Sequence, residues 1–151
     1  MTLTEQQNAR RARMGLLARS SARQLVELWV KLGEEPEHSL LRGPETGSIT
    51  LRGRMGGGGA PFNLGEATVT RAAVGLADGT VGHAMVLGRD LEKARIAALV
   101  DALCQDEREL ERIEGGLLTP LRVAEADCER VRREQTAATK VDFFTMVRGE
   151  D

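Results

Sequence analysis

Aromatic side chains are scarce in this sequence: its 151 residues include one tryptophan, three phenylalanines and no tyrosine. An excess of basic residues is also missing, because 21 Lys and Arg stand against 23 Asp and Glu and give a formal net charge of -2. Proteins that act on nucleic acid usually combine a basic surface with aromatic side chains on which bases stack. We therefore expect nucleic acid not to be the principal partner.

Cysteine and histidine are equally rare, with two of each: Cys104, Cys128, His38 and His83. Their spacings match neither a zinc site nor a Cys-His dyad, and Gly47-Ser48 lacks the pattern of a nucleophile elbow. Both cysteines lie in stretches with helical periodicity, where a reduced cysteine behaves as a small hydrophobe. We expect no catalytic residue, no metal site and no cofactor bound by this chain alone.

Long apolar runs are absent as well, so no segment predicts a membrane span. The first residues are polar and resemble no signal peptide, which predicts a cytoplasmic protein. A chain of this length with 41% hydrophobic and 29% charged residues is typical of one globular domain. We therefore expect residues 1–151 to form a single domain.

Two helices are predicted within residues 1–33, with a break near Ser20. Thr4 with Gln7, and Ser21 with Gln24, fit the capping-box pattern of a helix start. Gly33 suits the position just after the second helix. An apolar stripe marks the face by which that helix should dock: Leu25, Leu28, Trp29 and Leu32.

The middle of the chain, residues 40–88, changes to an alternation of period two that predicts strands. Ile49, Leu51 and Met55 alternate with polar residues and indicate a half-buried strand. Residues 66–76 and 81–87 predict two more strands, joined by a turn whose Asp78-Gly79 pair suits type I′. Because no helical crossover separates these strands, the sequence predicts an antiparallel meander of three or four strands.

Helical periodicity returns over residues 90–139. Asp90 is a good N-cap for a helix to about residue 106, and Gly115-Gly116 predicts the end of the following segment. Thr119-Pro120 predicts a new helix start, with Leu121, Ala124, Cys128 and Val131 on its buried face. The predicted fold class is α+β, an antiparallel meander flanked by N-terminal and C-terminal helices.

A glycine run beside arginines is the most conspicuous local feature. Consecutive glycines, Gly56, Gly57, Gly58 and Gly59, allow backbone N–H groups to surround an anion, and Arg54 and Arg71 lie on flanking strands. Phosphate binding is one interpretation. A flexible connection and ordinary ion pairs are the others, since neither the Gly-Lys-Ser/Thr ending nor the GxGxxG spacing of nucleotide loops is present.

The last segment, residues 140–151, holds two of the three phenylalanines and follows the final helix. Its apolar cluster needs a cover, which either this domain or a neighbouring subunit could provide. As candidate contacts for a partner we single out the following residues: Lys140, Phe143, Phe144, Met146 and Arg148.

Several of these strings together resemble the PhnG family, subunits of the bacterial carbon-phosphorus lyase system. The resemblance follows the chain in order from about residue 45 to the C-terminus. It is carried by the segments 54–57, 62–71, 78–82, 88–90 and 138–149, of which the last is the longest and most specific.

The resemblance implies a core complex with PhnH, PhnI and PhnJ that serves phosphonate metabolism. It also implies a shared reaction in which PhnG, PhnH and PhnI, with PhnL, transfer the ribose triphosphate of ATP to methylphosphonate and release adenine. ATP would then be a co-substrate of the complex. By the same resemblance, PhnI rather than this chain is expected to hold the catalytic groups.

Three roles remain open at this point. The Arg54 to Gly59 segment, helped by Arg71, could complete a triphosphate site at the boundary with PhnI. Alternatively, the chain could be a structural scaffold with no contact to substrate. It could also be a stand-alone binder of nucleotide or nucleic acid.

Overall fold

The computed structural model describes residues 5–139 and has an α+β architecture with one three-stranded sheet, which confirms the predicted fold class. A one-turn 3-10 helix, Met55–Gly57, joins the first two strands, and a five-residue π segment, Glu114–Leu118, joins the last two helices. The main elements are α1 Glu5–Arg19, α2 Ala22–Lys31, β1 His38–Arg54, β2 Pro61–Leu76, β3 Val81–Leu87, α3 Leu91–Leu103, α4 Glu107–Ile113 and α5 Thr119–Ala138.

The sheet is an antiparallel meander in the order β1-β2-β3, as predicted. Its strands differ greatly in length. Strand β3 pairs only with residues 69–75 of β2, whereas β1 follows β2 from residue 61 to residue 76. Beyond β3 the sheet therefore continues as a two-stranded ribbon made of residues 48–54 and 61–68. We call this ribbon and its connecting turn the arm.

Helix α3 is the centre of the hydrophobic core. It begins at Asp90, whose carboxylate accepts a hydrogen bond from the backbone N–H of Lys93 at 2.8 Å, as its predicted N-cap role requires. The helix packs on β2 and β3 and also contacts α1 and α2. Nearly every residue from 93 to 103 is therefore buried, rather than the single face that its periodicity indicates.

The N-terminal helices follow the prediction closely. Helix α1 ends at Arg19 and α2 begins after Ser21, although the Ser21 side chain makes no capping hydrogen bond. Leu25 and Trp29 are buried against the core, and Gly33 takes a φ of 108° just beyond the helix. Thr4 lies outside the described residues.

The turn between β2 and β3 differs from the predicted type I′. A type I′ turn requires positive φ at Asp78, and no non-glycine residue within 5–139 has one. Instead, the N–H of Gly79 donates to the carbonyl of Leu76 at 3.0 Å, and Gly79 takes a φ of 87° as the bulge residue. Asp78 avoids the left-handed conformation and accepts the Thr80 N–H at 2.8 Å.

The glycine pair near residue 115 does not end a helix, contrary to the prediction. The chain passes from α4 through the π segment into α5 without a break, and Thr119 has helical angles rather than those of a cap. A side chain at Gly116 would lie 2.5 Å from the Leu32 side chain, so glycine lets the π segment pack closely against the end of α2. On α5 only Leu121 is buried, and Val131 is exposed.

The predicted half-buried strand around Ile49 is instead largely exposed. Leu51 lies on the surface, and Met55 falls in the connecting turn with 77% of its area exposed. The reason is the short β3, since the helical layer that covers residues 69–75 of β2 does not extend over the arm.

No helix within residues 5–139 is long and apolar enough to cross a membrane.

Candidate functional site

The candidate phosphate site lies at the tip of the arm. Arg54 is the last residue of β1, and its guanidinium donates a hydrogen bond to the carbonyl of Gly59 at 3.1 Å across the turn. This contact is exposed to solvent, and Arg54 forms no ion pair with any described residue. The cation at the arm tip is therefore available to an anion supplied from outside the chain.

The glycine run forms a tight turn whose shape requires glycine at two positions. Gly56 has a φ of 60°, and a side chain at Gly59 would lie 2.7 Å from the carbonyl oxygen of Met55. The N–H groups of Gly58 and Gly59 both donate to that carbonyl. Two of the four predicted N–H donors, those of Gly58 and Gly59, are thus engaged within the turn and are not available to an anion.

Arg71 lies elsewhere, near the middle of the outer face of the sheet. Its Nε is 2.9 Å from Oε1 of Glu45, a carboxylate that also pairs with Arg42. Hydrogen bonds from Arg42 and Arg71 lower the pKa of Glu45 below its usual range. At about 3.3 Å per residue, the register position of Arg71, opposite Glu45, is roughly 30 Å from Arg54. The structure does not bring the two predicted arginines together.

The candidate partner-binding residues fall in the C-terminal segment. Residues 140–151, with Lys140, Phe143, Phe144, Met146 and Arg148, lie outside the described residues. Their role stays a prediction.

The histidines and cysteines form no catalytic arrangement among residues 5–139. His38 Nδ1 is 2.9 Å from the carbonyl of Pro36, and the backbone of His83 bonds to Asp101. Burial raises the pKa of the Cys104 thiol to about 11, which keeps it protonated at neutral pH and unreactive. The same part of the chain contains no group of three side chains placed to hold a metal ion.

A buried lysine is the feature that sequence reasoning missed. Lys93 is 7% exposed, and its Nζ donates to the carbonyls of Ala18 and Ser20, each at 2.7 Å, at the end of α1. Burial lowers the pKa of Lys93, partly offset by the charge of Asp90. The side chain thereby satisfies carbonyls that the helix leaves unpaired, and no local pattern in the sequence signals such a contact.

Lys93 also lines a cleft of about 580 Å³ between α5 and the sheet. Leu121 and Cys128 form part of one wall, and Val69 and Leu87 part of the opposite one. The lining is more apolar than polar, with Arg19, Glu125, Glu129 and Arg132 among its charged residues. This cleft contains neither Arg54 nor Arg71, so it is separate from the candidate phosphate site.

The comparisons with known proteins agree with the motifs on the arm and in the C-terminal segment. The chain belongs to a family of phosphonate metabolism proteins, because the family profile matches residues 8–149. That family is described as phosphonate metabolism protein PhnG, which confirms the resemblance carried by the motifs.

A curated relative is similar over nearly the whole chain. The alpha-D-ribose 1-methylphosphonate 5-triphosphate synthase subunit PhnG of Rhizobium meliloti (strain 1021) is 51% identical over 143 residues. These residues cover 94% of this chain and 90% of the relative.

Proposed function

We propose that this chain is a subunit of an enzyme that transfers the ribose triphosphate of ATP to methylphosphonate with release of adenine. The identity of 51% to a relative named as a subunit of the corresponding synthase is the observation that carries this proposal. Its proposed partners are PhnH, PhnI, PhnJ and PhnL, its proposed location is the cytoplasm, and ATP is a co-substrate of the complex rather than a ligand of this chain alone.

Within that complex we assign the arm tip to the triphosphate. Arg54 and Gly56 are exposed at the arm tip, where β3 no longer pairs with β2, so they are placed to enter a partner's active site. Because PhnI is the proposed seat of chemistry, this subunit contributes electrostatic stabilisation and not proton transfer. Arg71 lies on β2 opposite Glu45, too far from Arg54 to reach the same phosphate group. Arg71 is therefore not part of the proposed triphosphate site.

Replacing Arg54 by alanine tests this role. We expect adenine release by the assembled complex to fall roughly 10- to 100-fold, because one charge-assisted hydrogen bond to phosphate is worth about 1.5–3 kcal/mol. The rate is measured with ATP and methylphosphonate on complexes whose subunit composition has been verified. Arg23→Ala is the matched control, since Arg23 is exposed on α2 far from the arm, and its variant should retain the wild-type rate.

A structural scaffold without substrate contact is the second candidate function. The pairing of Arg71 with Glu45, and the use of two glycine N–H groups inside the turn, favour it. An Arg54→Ala complex that assembles and turns over at the wild-type rate would establish this role instead. ATP binding by the isolated chain would support the stand-alone nucleotide binder.

Deleting residues 140–151 tests the partner-binding role of the C-terminal segment. We expect the truncated chain to fold but to recover less than a tenth of the partner subunits in co-purification, because an aromatic pair typically anchors an interface. Deletion of Glu150 and Asp151 alone is the control and should leave assembly unchanged. Full assembly of the longer deletion would remove these residues from the interface.

A further inference from the structure

The sheet has two edges, and residues 5–139 contact them very differently. At the β3 edge, the backbone N–H of His83 donates to Asp101 Oδ2 at 2.9 Å, and the Gln105 side chain donates to the carbonyl of Val81 at 2.8 Å. Helix α1 packs along the same strand. Two outward-facing backbone groups of β3 are thus satisfied by side chains of the same chain, which protects this part of the edge from pairing with another strand.

The β1 edge is long and open by contrast. Strand β1 has 17 residues, and within residues 5–139 its backbone pairs only with β2. Register shifts interrupt this pairing on either side of the stretch from Glu45 to Leu51, which is itself regular. An exposed strand edge of this length presents a row of free backbone donors and acceptors.

The direction of these groups follows from the register. The N–H of Gly88 donates to the carbonyl of Thr68, so Thr68 directs its backbone towards β3, and its neighbour Val69 directs its own towards β1. Val69 pairs with Gly47. By the same alternation, Ser48 and Thr50 direct their N–H and C=O groups away from β2 and into solvent.

Charge along this edge indicates what kind of chain would pair with it. Glu45 is the only carboxylate on β1, and it is already bonded to Arg42 and Arg71. Arg52 and Arg54 form no ion pair with any residue in 5–139. A segment lying alongside β1 near the arm tip therefore meets uncompensated positive charge, and carboxylates complement it.

Apolar side chains of the arm are also left exposed by residues 5–139. Leu64 is 66% exposed, and Leu51 and Phe62 are exposed as well. A two-stranded ribbon is marginally stable in water unless a third strand or another surface packs against it. The open edge and the exposed apolar side chains thus lie on the same part of the molecule.

We propose that an extended, carboxylate-bearing segment of another subunit pairs with the outer edge of β1 between Glu45 and Leu51 and adds a fourth strand to the sheet. Backbone hydrogen bonds to Ser48 and Thr50 would hold the segment in place, and its carboxylates would pair with Arg52, which leaves Arg54 to the triphosphate. This inference rests on the proposed function in one respect, that the partner is a subunit of the same enzyme.

A proline at Thr50 tests the pairing directly. Proline removes the outward N–H and places its ring there, while every hydrogen bond between β1 and β2 is kept because Thr50 does not donate to β2. We expect Thr50→Pro to reduce the recovery of partner subunits with the tagged full chain at least tenfold. Thr50→Val is the matched control, since it keeps both the N–H and the side-chain shape, and it should recover the partners normally.

Hydrogen exchange on the wild-type complex keeps the proposal testable if the proline variant fails to fold. The amides of Ser48 and Thr50 should exchange rapidly in the isolated chain and at least 100-fold more slowly in the complex. Unchanged exchange in the complex would overturn the proposal. So would protection already present in the isolated chain, which would identify a second copy as occupant if it depends on concentration, or the C-terminal segment if it is lost on deleting residues 140–151.

The two proposals fail in different ways. Normal assembly of Thr50→Pro together with an inactive Arg54→Ala complex would overturn the edge pairing and leave the triphosphate role in place. Loss of assembly in Thr50→Pro, with full activity of Arg54→Ala, would support the pairing and overturn the triphosphate role.

Discussion

Replacing Gly82 by alanine is expected to destabilise this protein by about 3 kcal/mol or more. The added methyl group would overlap backbone atoms, and a backbone cannot move aside as a flexible side chain can. A methyl group at Gly82 would lie 2.0 Å from the carbonyl oxygen of Ala98 and 2.5 Å from the backbone nitrogen of Ala102. Helix α3 would have to move away from β3, and the core residues between them, such as Val86 and Leu99, would lose contacts. The measurement is urea unfolding of the isolated chain. A lower midpoint urea concentration with an unchanged m-value would show that the folded state has lost stability.

Gly65→Ala is the matched control for this substitution. Gly65 also lies in a strand, but a methyl group there would have no heavy atom within 4 Å outside its chain neighbours. Its free energy of unfolding should stay within about 0.5 kcal/mol of the wild type or rise. Equal effects of the two substitutions would show that the close approach of α3 to β3 is not what requires glycine at position 82.

Replacing Asp101 by alanine is expected to cost about 2–4 kcal/mol of stability, because it removes one partner of a buried ion pair. Asp101 is 3% exposed and accepts two hydrogen bonds from Arg10, at 2.9 and 2.7 Å, and one from the His83 N–H. Alanine leaves the His83 N–H at the sheet edge without this acceptor and the Arg10 guanidinium without its counter-ion. We set the cost below the upper limit for buried pairs because the Arg10 side chain is 35% exposed.

Asp101→Asn separates the two contributions. The amide oxygen can still accept from the His83 N–H, whereas the charge that faces Arg10 is lost, so an intermediate loss of stability is expected. Urea unfolding and hydrogen exchange of the His83 amide measure the two effects in the same samples. A stability loss of less than about 0.5 kcal/mol in Asp101→Ala would contradict a structural role for this carboxylate.

Sequence patterns located the elements because each depends on neighbours along the chain. The Asp90 N-cap, the helix end at Gly33 and the strand at residues 81–87 all follow from hydrogen bonds or alternation within a few residues. The same patterns failed where a distant contact decides. The glycine pair at 115 and 116 reads as a helix end, yet the packing of Gly116 against Leu32 keeps the chain helical.

For the candidate phosphate site, too, the sequence succeeded with residues close in the chain and failed with residues far apart in it. The sequence identified Arg54 and the glycine run, and the structure places them in one turn because they are neighbours in the chain. The sequence also suggests Arg71 as part of this site, because Arg54 and Arg71 lie on adjacent strands. The register instead puts Arg71 opposite Glu45, since in a long hairpin residues far from the turn pair far from its tip.

By itself, the sequence determined the fold class and the family, because these depend on composition, periodicity and short strings of residues. Only the tertiary structure decided that β3 is too short to cover the arm, that Lys93 and Asp101 are buried with partners, and that no other strand within residues 5–139 pairs with the outer edge of β1. These features depend on the relative lengths and packing of elements that are distant in the chain. Interactions of that kind arise only once burial of the core has brought the elements together.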